Sequence, residues 1–384
     1  LDIRQFATAR ELEYIDSVER HGSQRGAARA LGVVESSIRG ALKRLHDRAA
    51  RQGWAPEHDM TRTVPDGFRV KGVSTYYDKD GTPAGQWVKS QVDQERQDEL
   101  MREAVAALCE TIKPVKPIKS PKDSLDHLMS VYPVGDHHIG QLSWHPETGK
   151  DYDTQKAETL LMGAMDHLVD SAPASTTGMV VLLGDFLHYD SYSAVTPQSK
   201  NQLDADTRYP KIVRVAMRTI RYAITAALKK HQEVLVIVAS GNHDPVSMVW
   251  LREAINALYE NEPRVTVDDS PSMFHYHKFG DVLIGVHHGD KVRKYENLAM
   301  LMAADRPKEW GATKHRHFYM GHIHHDRVRD MAGVTVESFS VLSSADAWAH
   351  GAGYRPMEKM KRIDYHKKHG EVARQTVTPE MLDG

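Results

Sequence analysis

Apolar positions recur at helical spacing through the first 60 residues, and this spacing predicts a small helical domain over 1–60. From 61 to 90 the pattern changes to alternation. The run from Phe68 to Tyr77, then Asp80-Gly81, then Gln86-Trp87-Val88 reads as a β-hairpin, because Asp-Gly suits a tight hairpin turn. Helical spacing returns over 91–111, where Leu100, Ala104, Ala107 and Leu108 share a face, so 61–111 is expected to form a hairpin plus helix adaptor. Residues 112–123 read IKPVKPIKSPKD. Proline removes amide donors and favours extended chain, and the interspersed lysines repel one another, so 112–124 is expected to be a semi-rigid Lys/Pro linker. Over 125–384 short apolar runs alternate with helical stretches, the pattern of an α/β domain.

Composition narrows the picture. The chain has 50 Lys+Arg and 52 Asp+Glu, a net charge of −2, so any contact with nucleic acid must come from a local patch. The lone cysteine, Cys109, can form neither an internal disulfide nor a thiolate cluster, which suits a reducing cytoplasm. The longest apolar runs, 179–183 and 234–239, are far shorter than the roughly 20 residues that span a bilayer, and no membrane partner is expected. Histidine is abundant, 23 of 384 residues, and its placement carries most of the chemistry.

Within the helical domain, Ser23 is a good N-cap, Ala27, Ala28 and Leu31 make a small apolar face, and Gly32 can end that helix in a left-handed turn. Ser36 is expected to cap the next helix, which buries Ile38, Leu42 and Leu45 and carries a basic stripe of Arg39, Lys43, Arg44, Arg48 and Arg51 opposed by Asp47. This stretch resembles the helix-turn-helix DNA-binding modules of bacterial and phage proteins, which implies a helix in the major groove with Ser36, Ser37 and Arg39 near base edges and Lys43, Arg44 and Arg48 alongside. An αα-hairpin used for oligomerisation has the same pattern, and a homodimer is compatible with either. The following hairpin reads equally as a wing or as an adaptor.

Five short runs follow the linker, four of them beginning with an apolar segment that reads as a buried strand and the fifth running from His317 to Gly321, and each ends in polar residues. They lead into Asp136-His137-His138, into Gly184-Asp185, into Gly241-Asn242-His243-Asp244, into His287-His288-Gly289, and into Gly321-His322-Ile323-His324. Ligands of α/β sheets gather at the carboxyl ends of strands, so these groups are expected to converge. Carboxylates, an amide oxygen and imidazoles without sulfur suit two divalent ions of the Mn, Fe or Zn type. In extended chain, Asp136 and His138 would point to one side, as would His322 and His324.

The ordered set Asp136-x-His138, Gly184-Asp185, Gly241-Asn242-His243-Asp244, His288-Gly289 and Gly321-His322-x-His324 resembles the calcineurin-like metallophosphoesterases over about 128–345. The resemblance implies a four-layer αββα sandwich. It implies one metal held by Asp136, His138, Asp185 and His324, and another held by bridging Asp185, Asn242, His288 and His322. Of the His287-His288 pair only the residue before glycine fits, with His287 in reserve. It implies that His243 sits near the leaving group, with Asp244 beside it in the catalytic motif, while a metal-bridging hydroxide attacks phosphorus. Mn²⁺ is the expected ion, with Fe, Zn, Ni and Mg as alternatives. The stretch Gly184-Asp185-Phe186-Leu187-His188 resembles that of SbcD-type DNA repair nucleases, which implies that His188 helps handle a phosphodiester. The long intervals between motifs are read as insertions, with 189–208 a substrate-side loop and Trp348 to Tyr354 folding back over the site.

The leading functional expectation is a dinuclear-metal phosphodiesterase acting on DNA, targeted by the helix-turn-helix. The alternatives are a phosphatase or cyclic-nucleotide phosphodiesterase of the same superfamily, and a DNA-binding regulator with a vestigial phosphoesterase fold.

Overall fold

The computed structural model describes residues 2–51, 68–77, 83–92, 114–292 and 294–382. The chain divides into two compact units, Leu1–Arg102 and Glu103–Gly384.

In the first unit α1 (Ala9–His21) starts from a capping box, with the Thr8 amide donating to Glu11 Oε2 at 2.8 Å. Helix α2 (Gln24–Leu31) is capped by Ser23, whose Oγ accepts from the Gly26 amide at 3.0 Å. It closes on Gly32 at φ 65°, and α3 (Glu35–Arg51) begins three residues later. Tyr14, Ala27, Ala28, Ile38 and Ala41 form the core, and the small alanines let the helices approach closely. Ser36 is not the cap of α3. The Ser37 amide already donates to the Val34 carbonyl at 3.0 Å, so the helix begins at Glu35, two residues earlier than a Ser36 cap would set it, and Ser36 lies in its first turn. Strands β1 (Phe68–Tyr77) and β2 (Pro83–Val92) pair antiparallel as the expected hairpin. β2 runs through Gln91 and Val92, past the point where a helix was expected to start. The Asp80-Gly81 turn and most of the expected helix at 91–111 lie outside the described residues.

The second unit has two sheets. Its elements in order are β3 (Leu125–Val134), α4 (His145–Thr148), α5 (Thr154–Asp170), β4 (Ser175–Leu182), α6 (Tyr209–Lys230), β5 (Glu233–Val238), α7 (Pro245–Leu258), β6 (Val265–Val267), β7 (His275–Phe279) and β8 (Val282–Val286). Then come α8 (Glu296–Asp305), α9 (Pro307–Gly311), β9 (His315–Met320), β10 (Arg327–Met331), β11 (Val334–Ser338), α10 (Ala347–Gly351), β12 (Met360–His366) and β13 (Gly370–Val377). One sheet has the order β13-β12-β3-β4-β5-β6, with β3 to β6 parallel. The other has the order β10-β11-β9-β8-β7, with β11, β9 and β8 parallel.

Alternation along the strands builds the layers. Met129, Val131, Met179 and Val181 face Ile284, Val286 and Tyr319 between the sheets. Tyr132, Val180 and Leu182 face Leu161, Ile220 and Leu251 of α5, α6 and α7. On the far side, Leu283, Phe318 and Val336 cover Leu298 and Met302 of α8. The unit is therefore an αββα sandwich.

Residues 114–118 are not a free tether. Val115 is buried and its amide donates to the Leu258 carbonyl at 2.7 Å, and the Ile118 amide donates to Glu262 at 2.8 Å. Apolar Val115 and Ile118, set between the prolines, supply the surface that docks. Among the described residues no helix is long and apolar enough to cross a membrane.

Beneath the sheet, His231 is fully buried, with Nδ1 at 2.9 Å from the Ser175 carbonyl and Nε2 at 2.8 Å from the Tyr132 hydroxyl. Burial lowers its pKa to about 4, so between about pH 6.5 and pH 4 the unfolded chain holds a proton that the folded chain excludes. Stability is complete above that window and falls as pH descends through it. Replacing His231 by Gln is expected to flatten this slope by up to about 1.4 kcal/mol per pH unit. Urea unfolding in chelator from pH 7 to 4.5 checks this, and parallel curves for the two proteins would count against it.

Candidate metal centre

Every motif group sits just past a strand. Asp136 lies beyond the end of β3, Asp185 beyond β4, Asn242 beyond β5, His288 beyond β8, and His322 and His324 beyond β9. The parallel strands of both sheets thus deliver their carboxyl ends to one place. The last step is made by sharp turns rather than by extended alternation. His138, Asp185, His322 and His324 have φ between 47° and 69°, and they are four of the five non-glycine residues with positive φ among those described. L-residues adopt this region at a cost, and it aims the side chains inward. Two glycines make room. A Cβ at Gly241 would lie 2.0 Å from Asp185 Oδ1, and one at Gly321 would lie 2.2 Å from Asp136 Oδ1.

The side chains fall into clusters whose ligand atoms lie within 4.8 Å of one another: Asp136, His138 and His324 in one, and Asp185, His288 and His322 in the next. Asp136 is fully buried. Its Oδ2 accepts from the His322 amide at 2.7 Å and lies 2.9 Å from His324 Nε2, while Oδ1 has no hydrogen-bond partner. His138 Nε2 and His324 Nε2 are 3.2 Å apart. Asp185 Oδ1 accepts from the His243 amide at 2.7 Å, and Oδ2 lies 3.2 Å from His288 Nε2. His288 Nε2 is also 3.0 Å from Asn242 Oδ1.

The donor set fits a pair of divalent cations. His288 gives its Nδ1 proton to the Leu183 carbonyl at 2.8 Å, so the neutral ring aims the Nε2 lone pair at two oxygens. Only a proton or a cation relieves that arrangement. Without metal a proton fills the role. Burial disfavours the charged ring, but Asp185 and Asp136 override it and raise His288 to about 10. Burial works to raise Asp185, and the charge on His288 and its hydrogen bond override burial and hold that carboxyl well below its usual range. Burial, then the neighbouring His243, His324 and His188, pushes His138 well below an ordinary histidine. A ring that stays neutral is ready to ligate.

Of the pair His287 and His288, it is His288 that enters the centre. His287 accepts from the Gly289 amide at 2.9 Å and stacks on Phe274 with ring centroids 4.4 Å apart. His243 lies at the edge of the cleft. Its Nδ1 donates to the His188 carbonyl at 2.8 Å, leaving Nε2 unconstrained, and its ring stands 4.8 Å from that of His138. His188 is buried, its Nδ1 lies 3.3 Å from His138 Nδ1, and burial with the adjoining His243 lowers it to about 3.

Asp244 does not face the cleft. Its carboxylate accepts from the amides of Asp185, Gly241 and Leu187 at 3.2, 3.1 and 2.9 Å, so it positions two ligand loops. It also leaves the start of α7 uncapped, and Asp190 takes that place by accepting from the amides of Val246 and Ser247 at 2.7 Å each. The sequence pattern offered no sign of Asp190.

The centre opens into a cleft of about 1110 Å³. Thr196, Asn201 and Asp204 of the 189–208 loop line one part of it, and Trp348 and Tyr354 line another. In the first unit, Ser36, Ser37, Arg39, Lys43 and Arg44 are exposed on α3. Arg39 pairs with Glu35, and Lys43 lies 3.3 Å from Asp47. Arg48 is turned inward: its Nε donates to the Phe6 carbonyl at 2.8 Å, and its guanidinium pairs with the buried Glu11.

No model of a known protein family matches the chain, and no curated protein matches it. Among solved structures it is similar to Vps29 from Entamoeba histolytica complexed with zinc, at 13% identity and a TM-score of 0.30, over 65% of this chain and 98% of that one. It is similar to a predicted phosphoesterase from Streptococcus pneumoniae, at 10% identity and a TM-score of 0.27, over 65% and 97%. It is also similar to an archaeal phosphodiesterase, at 12% identity and a TM-score of 0.30, over 65% and 98%.

Asp185→Ala is expected to lower bound metal sharply, whereas His243→Ala is expected to leave it intact. Metal analysis of both purified proteins checks the division of roles, and equal loss in both would refute it.

Proposed function

We propose that the chain is a calcineurin-like metallophosphoesterase that hydrolyses DNA phosphodiester bonds. The observation that carries this reading is the meeting of Asp136, His138, Asp185, His288, His322 and His324 at strand ends of two facing sheets. In this reading Asp136, His138, Asp185 and His324 hold one cation, and Asp185, Asn242, His288 and His322 hold the other. Two divalent cations supply Lewis acidity toward a phosphoryl oxygen and a water that ionises near neutral pH. Mn²⁺ suits this oxygen and imidazole set.

The chain's own groups do the remaining work. The hydrogen bond from His243 Nδ1 to the His188 carbonyl fixes that ring and leaves Nε2 able, when the ring is the doubly protonated imidazolium, to give a proton to the departing oxygen. Asp244 holds the Asp185 and Gly241 backbones in place and touches no reacting atom. His188, neutral and buried, supports the ring of His243, with centroids 5.6 Å apart.

Support for DNA as the substrate comes from α3, whose exposed face carries Ser36, Ser37, Arg39, Lys43 and Arg44. The pair of Arg39 with Glu35 is an exposed i,i+4 pair, worth little and readily exchanged for phosphate, and Lys43 is exposed beside a half-buried Asp47 that also pairs with Arg69. A DNA-binding module on the same chain as a hydrolytic centre raises the local concentration of substrate.

With Mn²⁺ the protein is expected to cleave linear or circular DNA, to leave p-nitrophenyl phosphate untouched, and to stop on addition of chelator. Turnover of the monoester alone would replace this reading with a phosphatase. Salt-sensitive DNA binding with no hydrolysis would replace it with a regulator. The triple change of Arg39, Lys43 and Arg44 to Ala is expected to weaken DNA binding several-fold and to lower its salt dependence, with small-diester hydrolysis unchanged. Unaltered DNA affinity in that variant would rule out α3 as the contact.

A further inference from the structure

Two hollows meet at the metal centre. The 1110 Å³ cleft and a second hollow of about 450 Å³ are both lined by His322 and Asp290, so they adjoin at the same group of candidate ligands. Their outer walls differ in chemistry. The first carries Trp348 and Tyr354, which are 74% and 56% exposed, with ring centroids 6.0 Å apart and planes within 23°. This pair is held in place: Asp346 caps α10 by accepting from the Ala349 amide at 2.8 Å, and the Tyr354 amide donates to the Ala349 carbonyl at 2.9 Å. A fixed aromatic pair left in water at the rim of a cleft is a surface built to be covered.

The second hollow carries Lys294, Arg327 and Arg329, all exposed. Arg327 and Arg329 are alternate residues of the edge strand β10, so they present their cations on one face. Arg329 stands 5.8 Å over the Tyr295 ring and only loosely, at 3.8 Å, from Glu296. The other acid in this hollow, Asp290, is 3.3 Å from Lys291. An anionic chain would exchange the exposed Arg329–Glu296 pair at little cost.

Resting on the phosphodiesterase reading above, we propose that this centre acts on a single nucleic-acid strand that crosses it. The bases stack on Trp348 and Tyr354 in one hollow, and the phosphates lie against Arg327, Arg329 and Lys294 in the other. A cationic wall tracks a phosphate backbone, and aromatic faces take any base that is unpaired, whereas a duplex hides its base faces.

The test compares initial rates in Mn²⁺ on three substrates: a single strand of about 12 nucleotides, an abasic strand of the same length, and methyl p-nitrophenyl phosphate. The double change Trp348→Ala and Tyr354→Ala is expected to raise KM for the base-bearing strand roughly tenfold with kcat held, and to leave the abasic strand unaffected. The double change Arg327→Ala and Arg329→Ala is expected to raise KM on both strands and to reduce the salt dependence. Both variants should keep small-diester activity within about twofold of the parent. If the parent cleaves the strand and the variants match it, or if they lose small-diester activity equally, this inference is overturned while the proposed function stands. Turnover of the small diester without cleavage of either strand would overturn this inference alone if linear or circular DNA is still cut, and would defeat the nucleic-acid reading with it if that DNA also stays intact; an inert parent would defeat the phosphoesterase reading itself.

Discussion

Asp136 and Asp185 are buried side by side at the ends of adjacent strands, and the rest of the catalytic-type architecture depends on how their charge is met. Two carboxylates removed from water cannot both stay ionised without positive charge close by. Among the described residues that charge comes from imidazoles: His288 stands 3.2 Å from Asp185 and 3.9 Å from Asp136, and His324 stands 2.9 Å from Asp136. Imidazole is the side chain that can release its proton to solvent at neutral pH and offer the freed lone pair to a divalent cation. The protonated state in the metal-free chain and the metal-bound state are thus two solutions to one electrostatic constraint.

That constraint explains the surrounding construction. The interlocked apolar faces of the two sheets hold the strand ends rigidly, which lets the loops carry left-handed backbone at His138, Asp185, His322 and His324. Gly241 and Gly321 give the carboxylates room that any Cβ would fill. Asp244 spends its hydrogen-bonding capacity on loop amides, and Asp190 compensates by capping α7 from a neighbouring loop. The result is a set of candidate ligands brought within reach of one another at the strand ends.

Much of this was legible in the sequence, for a physical reason. Apolar runs ending in Gly with Asp, Asn or His mark buried strands and the polar turns at their carboxyl ends, and all five such runs are strands in the αββα sandwich. The hairpin pattern between Phe68 and Val88 is likewise a hairpin. What sequence spacing could not carry was direction. Alternation in extended chain suggested that Asp136 and His138 share a side, but the turn after β3 is left-handed. A run of lysines and prolines reads as solvated tether, yet Val115 and Ile118 find a surface that is formed only by distant residues. Arg48 looks like one cation in a stripe until Glu11 and the Phe6 carbonyl, far away in sequence, claim it. Ser36 is a good capping residue in the wrong turn.

In the proposed function Asp185 would be shared by two divalent cations. Electron paramagnetic resonance of the 384-residue chain titrated with Mn²⁺ tests this, because neighbouring ions couple their spins and separate ions do not. Saturation at two ions per chain with an exchange-coupled spectrum is expected. One ion per chain, or a spectrum of isolated Mn²⁺ at every loading, would contradict it.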